Sequence, residues 1–299
     1  FAGSNIVLSD PAGWGHDGLI KYPKVEDEIK SMRLSGRHAL PRFFASVEFG
    51  ADYSERTKSV NKDEYNVNLK NNRTPVTVPT NLLVSPTSLS YAGIPGVLSY
   101  DVMGALGSLY NLTPTGQDQT FARHYDINEK VTTAYVKMDI DTDFAGIPIR
   151  GNVGLQSVKA KQFSNGFAWT GSSAVPIGAG KSYTDVLPSL NLVAEFKGNR
   201  YLRLGAAKTL ARPRMEDMRA GFTGICIDTV SKKWSASGGN PGLEPWRADS
   251  YDLSFEQYFG KRSYVSVAAF TKQLHTFIYN KTIDYDFTGF PNTTGVVPI

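Results

Sequence analysis

The amino-acid sequence predicts an all-β fold, an antiparallel meander that is part of a transmembrane β-barrel with long extracellular loops. Three observations lead to this prediction. Apolar and polar residues alternate with period two in several runs, the runs are long for a soluble sheet, and the connections between them alternate between short and long. The chain of 299 residues, with a net charge of +4 and 12% aromatic residues, has the composition of neither a disordered chain nor a coiled coil.

About eight runs show the alternation expected of strands. The run 131–144 is typical, because Val136 and Met138 fall on one side of the strand while Lys137 and Asp139 fall on the other. Lengths of about 9–14 residues suit tilted strands that cross a bilayer and project beyond it. In chain order, the runs cover residues 29–36, 42–56, 131–144, 148–161, 189–196, 201–210, 250–259 and 264–279.

The connections between these runs alternate in length. Four are short, at 37–41, 145–148, 197–200 and 260–263. Between antiparallel strands, this alternation places every short turn at one end of the sheet, as in outer-membrane barrels. We therefore predict one barrel domain over residues 1–299, with long outer loops at the opposite end. These loops are predicted at about 1–27, 56–126, 163–182, 212–247 and 280–299.

Aromatic residues cluster beside the short turns. Amphipathic rings prefer the level of the lipid headgroups, where barrels carry an aromatic girdle. Strands of any fold are rich in aromatic residues, so this clustering favours a membrane protein only modestly. The residues are Phe43, Phe144, Phe196, Tyr201, Phe259 and Tyr264.

In a barrel, the polar sides of these strands face a wet lumen and the apolar sides face lipid. The alternation alone is equally compatible with a soluble β-sandwich, in which apolar residues such as Leu192 and Leu204 form the core. The sorting of short and long connections favours the barrel. Lumen-facing polar residues are then predicted at Glu48, Lys137, Asp139, Arg150, Arg203 and Glu256.

Motif searches predict no catalytic residue, metal site or cofactor. The segment GAGKS (178–182) lacks the earlier glycine of a phosphate loop, since position 175 is Val175, and we assign it to a loop. The alternating Asp139, Asp141 and Asp143 are not followed by the glycine of a calcium loop. Cys226 is the only cysteine, and the four histidines have no zinc spacing.

Three phrases within residues 201–279 point to a family. They are T-x-x-R-P at Thr209–Pro213, G-N-P-x-L-x-P at Gly239–Pro245, and the Tyr258-Phe259 pair at a strand end. In this order and spacing they resemble the C-terminal barrel part of TonB-dependent outer-membrane receptors. Strand phrases at 47–56, 130–141 and 150–158 look similar to the family as well.

This resemblance implies a protein of the Gram-negative outer membrane, with a full barrel of about 22 strands. It implies TonB-energised uptake of a bulky nutrient, without catalysis, and contact with membrane lipid and lipopolysaccharide. Family members meet the TonB complex through a plug domain that we do not find in this sequence. We therefore expect a barrel fragment that lacks the plug and the C-terminal strands. Nothing in the charge pattern suggests nucleic acid.

The phrasing of residues 239–259 resembles the branch linked to carbohydrate uptake. Aromatic rings in the loops would suit stacking on sugars. An iron-siderophore receptor is the alternative ligand class, a passive porin is another transporter, and a secreted soluble β-sandwich binding module is the alternative of a different kind. The candidate ligand-binding residues are Trp14, Trp169, Trp234 and Trp246, all in or beside predicted loops.

Overall fold

A computed structural model describes residues 5–41, 43–115, 123–169, 174–228, 230–260 and 262–287. The chain divides into two compact units. The small unit comprises Phe1–Lys24 and Asn61–His124, and the sheet unit comprises Val25–Val60 and Tyr125–Ile299. Among the described helices, none is both long and apolar enough to cross a membrane.

The described strands follow one another in chain order. They are β1 (Val7–Leu8), β2 (Gly18–Ala39), β3 (Phe44–Leu69), β4 (Val76–Thr77), β5 (Leu83–Leu89), β6 (Ile94–Tyr100), β7 (Tyr110–Pro114), β8 (Tyr125–Phe144), β9 (Ile147–Trp169), β10 (Ala174–Phe196), β11 (Arg200–Ala211), β12 (Phe222–Ile227), β13 (Trp234–Gly238), β14 (Trp246–Phe259) and β15 (Ser263–Leu274).

Eight of these strands form one antiparallel path, in the order β15-β14-β11-β10-β9-β8-β3-β2. They correspond one to one to the eight predicted runs, so the predicted antiparallel meander is confirmed. Within the described residues, β2 and β15 each have a neighbour on one side only in this path, and the sheet is open. An open meander of long strands is what part of a β-barrel provides.

Two of the predicted short turns, those at 145–148 and 197–200, are tight reversals. Ala145 and Gly146 form the two-residue turn between β8 and β9 with φ of 53° and 78°. Asn199 (φ 57°) and Gly198 (φ 81°) serve the turn between β10 and β11. These left-handed conformations match the twist of a hairpin and suit Gly and Asn. In this antiparallel order, β2–β3, β8–β9, β10–β11 and β14–β15 are all joined at one end of the meander, which we call the turn end, and we call the opposite end the loop end.

The predicted loop at 163–182 is wrong. β9 and β10 remain paired from Ile149↔Ala194 to Trp169↔Ala174, so the GAGKS segment is strand rather than loop. The side-chain alternation also continues, because Gln162 and Ser164 are buried while Phe163 is exposed. Small and polar residues take the buried positions there. A search for apolar alternation misses such a stretch, although backbone pairing does not require apolar side chains.

Other predicted loop limits also move. β3 continues to Leu69, so the loop predicted at 56–126 starts later, and β2 starts at Gly18 inside the segment predicted as 1–27. The segment 212–247 contains β12, β13 and the start of β14. β15 ends at Leu274, and residues 275–287 contain no strand. Residues 288–299 lie outside the described part of the chain.

The small unit has a hydrophobic core of its own, in which Leu8, Leu69 and Val78 are buried. β5 and β6 form a hairpin, β1 pairs with β4, and β7 pairs with the end of β3. Its helix, Val102–Leu109, begins at Asp101, whose side chain accepts from two backbone N–H groups. The short segments Lys70–Arg73, Thr80–Leu82 and Ser90–Ala92 form single turns.

The two faces of the sheet differ as predicted for a barrel. Cross-strand partners share a face, so Leu204 lies beside Leu192 and Leu253 on what we call the apolar face. Leu204 is 41% exposed and Leu253 is 48% exposed. A β-sandwich would bury these leucines, so the soluble alternative is contradicted.

Candidate functional site

The turn-end half of the opposite face, which we call the polar face, is lined by paired charges. Lys137 Nζ lies 3.1 Å from Glu48 and 3.4 Å from Asp139. Tyr135 donates its hydroxyl proton to Glu48 at 2.8 Å, and Arg37 donates to Asp139 at 2.9 Å. Three of the predicted lumen residues are therefore brought together in one hydrogen-bonded group on β3 and β8.

The same face continues across the next strands. Arg150 lies 3.5 Å from Asp141 and 3.8 Å from Glu195. On β11 and β14, Arg203 forms two hydrogen bonds to Glu256, at 2.9 and 3.2 Å. The six predicted lumen residues thus share one face but form three separate groups along it.

Partly exposed ion pairs of this kind add little stability, and they leave hydrogen-bond donors and acceptors accessible on the polar face. Each of the six predicted residues has a neighbour of opposite charge. In the described part of the chain, no three His, Cys, Asp or Glu side chains are grouped to hold a metal ion.

The loop-end half of the polar face is covered. A segment consisting of residues 212–221 and 238–245, which we call the covering segment, packs onto it between β11 and β14. Its Met215 and Met218 join Val60, Tyr125 and Ile127 of the sheet in a buried cluster. Ile127 is 0% exposed and Met218 is 1% exposed, so water is excluded from this contact.

Polar contacts surround this apolar cluster. Arg212 Nη1 donates to Glu129 Oε2 at 2.7 Å, where the carboxylate is almost fully buried. Gln162 Nε2 donates to the backbone carbonyls of Pro241 and Leu243, at 2.9 and 2.7 Å. Glu129 and Gln162 are cross-strand neighbours in β8 and β9. One cross-strand pair therefore holds both parts of the covering segment.

The G-N-P-x-L-x-P phrase shapes this segment. A β-carbon at Gly239 would lie 2.7 Å from the carbonyl oxygens of Asp217 and Arg219, so glycine permits the two parts to meet. The Asn240 N–H donates to the Asp217 carbonyl at 2.7 Å, and the Asn240 side chain accepts from the Gly242 N–H at 2.9 Å. The phrase is thus a docking turn that returns the chain to the sheet.

The segment ends in a charged junction. Glu244 binds Lys181 at 2.5 Å and Arg247 at 2.7 Å, and Arg247 also binds Asp185 at 2.5 Å. Hydrogen bonds from Lys181 and then from Arg247 lower the pKa of the Glu244 carboxyl below its usual value. The junction ties the start of β14 to β10.

The four predicted tryptophans do not form one site. Trp14 lies in the small unit and is 74% exposed, with its ring 6.2 Å from that of His16. Trp234 packs at 5.7 Å from Phe287, with its indole nitrogen buried. The side chain of Trp169 lies outside the described part of the structure.

Trp246 belongs to a separate aromatic group, which we call the aromatic platform. Its ring centre lies 5.0 Å from that of Phe277, which stacks on Tyr279 with an interplanar angle of 14°. All three rings are exposed. The sequence did not single out Phe277 and Tyr279 as ligand-binding residues, although both lie at alternate positions at the end of the predicted run 264–279.

The comparisons with known proteins agree with this architecture. Residues 5–297 match the family model described as TonB dependent receptor-like, beta-barrel. Neither the comparison with curated proteins nor that with solved structures gave a match. The matched model covers nearly the whole chain, and its barrel agrees with the open meander and its two unlike faces. The chain belongs to the TonB-dependent receptor β-barrel family, whose members transport solutes across the outer membrane of Gram-negative bacteria.

Proposed function

We propose that this barrel serves the TonB-energised uptake of a carbohydrate, and specifically of an oligosaccharide. The observation that carries the proposal is the aromatic platform of Trp246, Phe277 and Tyr279 at the loop end of the sheet. Sugar rings present apolar C–H faces, which stack on exposed aromatic rings. The platform offers three such rings side by side.

The polar face supports the same ligand class. Its Arg203–Glu256 and Lys137–Glu48 pairs offer hydrogen-bond donors and acceptors to hydroxyl groups. The charges in these groups are compensated by their neighbours, which suits a neutral, hydrated solute better than an anionic iron chelate.

We further propose that a plug domain gates this lumen and couples it to TonB. An ungated barrel of about 22 strands would leave an aqueous channel. A gated barrel delivers its ligand without making or breaking a covalent bond, so this function requires no catalytic residue.

Calorimetry on the complete receptor with a length series of oligosaccharides tests the ligand class. We expect the paired change Phe277→Ala with Tyr279→Ala to weaken binding about tenfold, because two stacking rings are lost. Phe259→Ala, which removes an exposed ring at the turn end, is the matched control and should leave affinity unchanged. Tight binding of ferric siderophores without any sugar binding would replace this proposal with the siderophore alternative.

A further inference from the structure

The polar face changes character halfway along its strands. At the turn end it carries charged and amide side chains, as a wet lumen requires. At the loop end the same face carries Val60, Tyr125 and Ile127, which would meet water if the face were open. The covering segment removes them from water with Met215 and Met218. The apolar residues at the loop end of the polar face therefore need a cover, and the covering segment provides it.

Backbone contacts bring the segment closer than side-chain packing would. Gly166 of β9 lies directly beneath Ala220, and a β-carbon at this position would collide with the Ala220 carbonyl oxygen. Two residues earlier, Ser164 accepts a hydrogen bond from the Ala220 N–H at 2.7 Å. Gly166 and the buried Ser164, at alternate positions of β9, thus provide the space and the hydrogen-bond acceptor for Ala220.

Lifting the segment would expose several groups at once. The Glu129 carboxylate would lose Arg212, the Gln162 amide would lose two carbonyl acceptors, and the apolar cluster would open to water. Groups that share one buried contact of this kind separate together or stay together. A loop that opened in every transport cycle would need a weaker attachment.

We infer that the covering segment is a fixed partition on the lumen wall, which narrows the passage and limits the size of solute that passes. The inference rests on the proposed passage of an oligosaccharide along the polar face. The segment stays on the sheet when ligand binds and when transport is energised. Selection by size then resides in Gly166, Ser164 and the Glu129–Gln162 pair, which hold the partition in place.

Cysteine labelling in intact cells that express the complete receptor tests whether the partition is fixed. In a Cys226→Ser background, Val60→Cys places a thiol beneath the segment, and Val230→Cys places one at a site that is 91% exposed. We expect a membrane-impermeant maleimide to label Val230→Cys and to label Val60→Cys at least tenfold more slowly. This protection should be the same with or without oligosaccharide and with or without an uncoupler. Fast labelling of Val60→Cys during energised uptake would show a movable lid and overturn the inference.

A second variant tests whether Gly166 holds the covering segment in place. Gly166→Ala should displace the segment, so that Val60→Cys becomes labelled and longer oligosaccharides are taken up. Gly205→Ala is the matched control, because its β-carbon would meet the Asp252 side chain at an ordinary 3.5 Å. Folding of each variant is checked by its heat-modifiable mobility on gels. Displacement without any change in the longest accepted sugar would overturn the sizing role, whereas failure of the proposed function would appear as no sugar binding by the parent receptor.

Discussion

Asn240 closes the turn that positions the second part of the covering segment. Its side chain accepts from Gly242, and its backbone N–H donates to Asp217, so the turn is closed on both sides. In the residues that follow, the carbonyls of Pro241 and Leu243 accept from Gln162, and Leu243 packs against the buried cluster. A short local turn thus sets a contact with a strand about 80 residues away in sequence.

The Glu244 junction makes a prediction about pH. Its pKa is lowered in the folded protein, so its contribution to stability is present above the unfolded value of 4.5 and is lost as pH falls through the folded pKa. We expect Glu244→Gln to lower the stability of the complete receptor in detergent micelles at neutral pH by at most about 1 kcal/mol, since the pair is partly exposed. The difference should shrink below pH 4.5.

Thermal unfolding across pH checks this expectation. Asp284→Asn, at an exposed carboxylate in the segment after β15, serves as the control and should show no such convergence. A stability difference between Glu244→Gln and the parent that persisted undiminished in acid would contradict the role given to the junction.

At the scale of elements, each long strand contributes to two different surfaces. Near the turn end, alternate residues of β8 and β9 separate Val136 and Leu155 on the apolar face from Lys137 and Asn152 on the polar face. Toward the loop end the strands continue, but their polar-face residues receive the covering segment. Strands of 20 and 23 residues are about twice what a bilayer crossing needs, and the surplus forms this second surface.

A charge on the apolar face of one strand tests its assignment to lipid. Leu204→Arg should destabilise the folded barrel by about 2–4 kcal/mol, as for a cation near the bilayer midplane. Asn152→Arg is the comparison on the polar face, where the new side chain lies across from Asp139, and it should cost much less. Equilibrium unfolding in lipid vesicles measures both changes. Equal costs would show that the two faces have the same surroundings.

For the whole molecule, the two unlike faces agree with the outer-membrane location of the family. The sheet has an exposed apolar face and a polar face, whereas a soluble protein rarely leaves such an apolar surface in water. Contact with lipid suits the apolar face, and contact with water suits the polar face. The small unit, with its own hydrophobic core, is folded structure as well.

This arrangement predicts how the receptor fractionates. After cell disruption, the complete receptor should stay in the outer-membrane pellet through an alkaline carbonate wash and should be released by detergent. The wash removes proteins held by charge alone and retains those whose apolar surface contacts lipid. Release by carbonate without detergent would contradict the membrane assignment.

Local patterns in the sequence are enough to specify the eight strands, their antiparallel order and which residues share each of the two faces. These features depend on local alternation and on short turns such as Ala145-Gly146, and neighbouring residues suffice to specify them. The grouping of Lys137 with Glu48 on one face followed from the same alternation. Three contacts become visible only in the folded chain: Met218 packs with Ile127, Gly166 lies against Ala220, and Trp246 groups with Phe277 rather than with the other tryptophans. Those contacts join residues far apart in sequence, and their partners depend on how a long loop closes over the sheet, which no local pattern records.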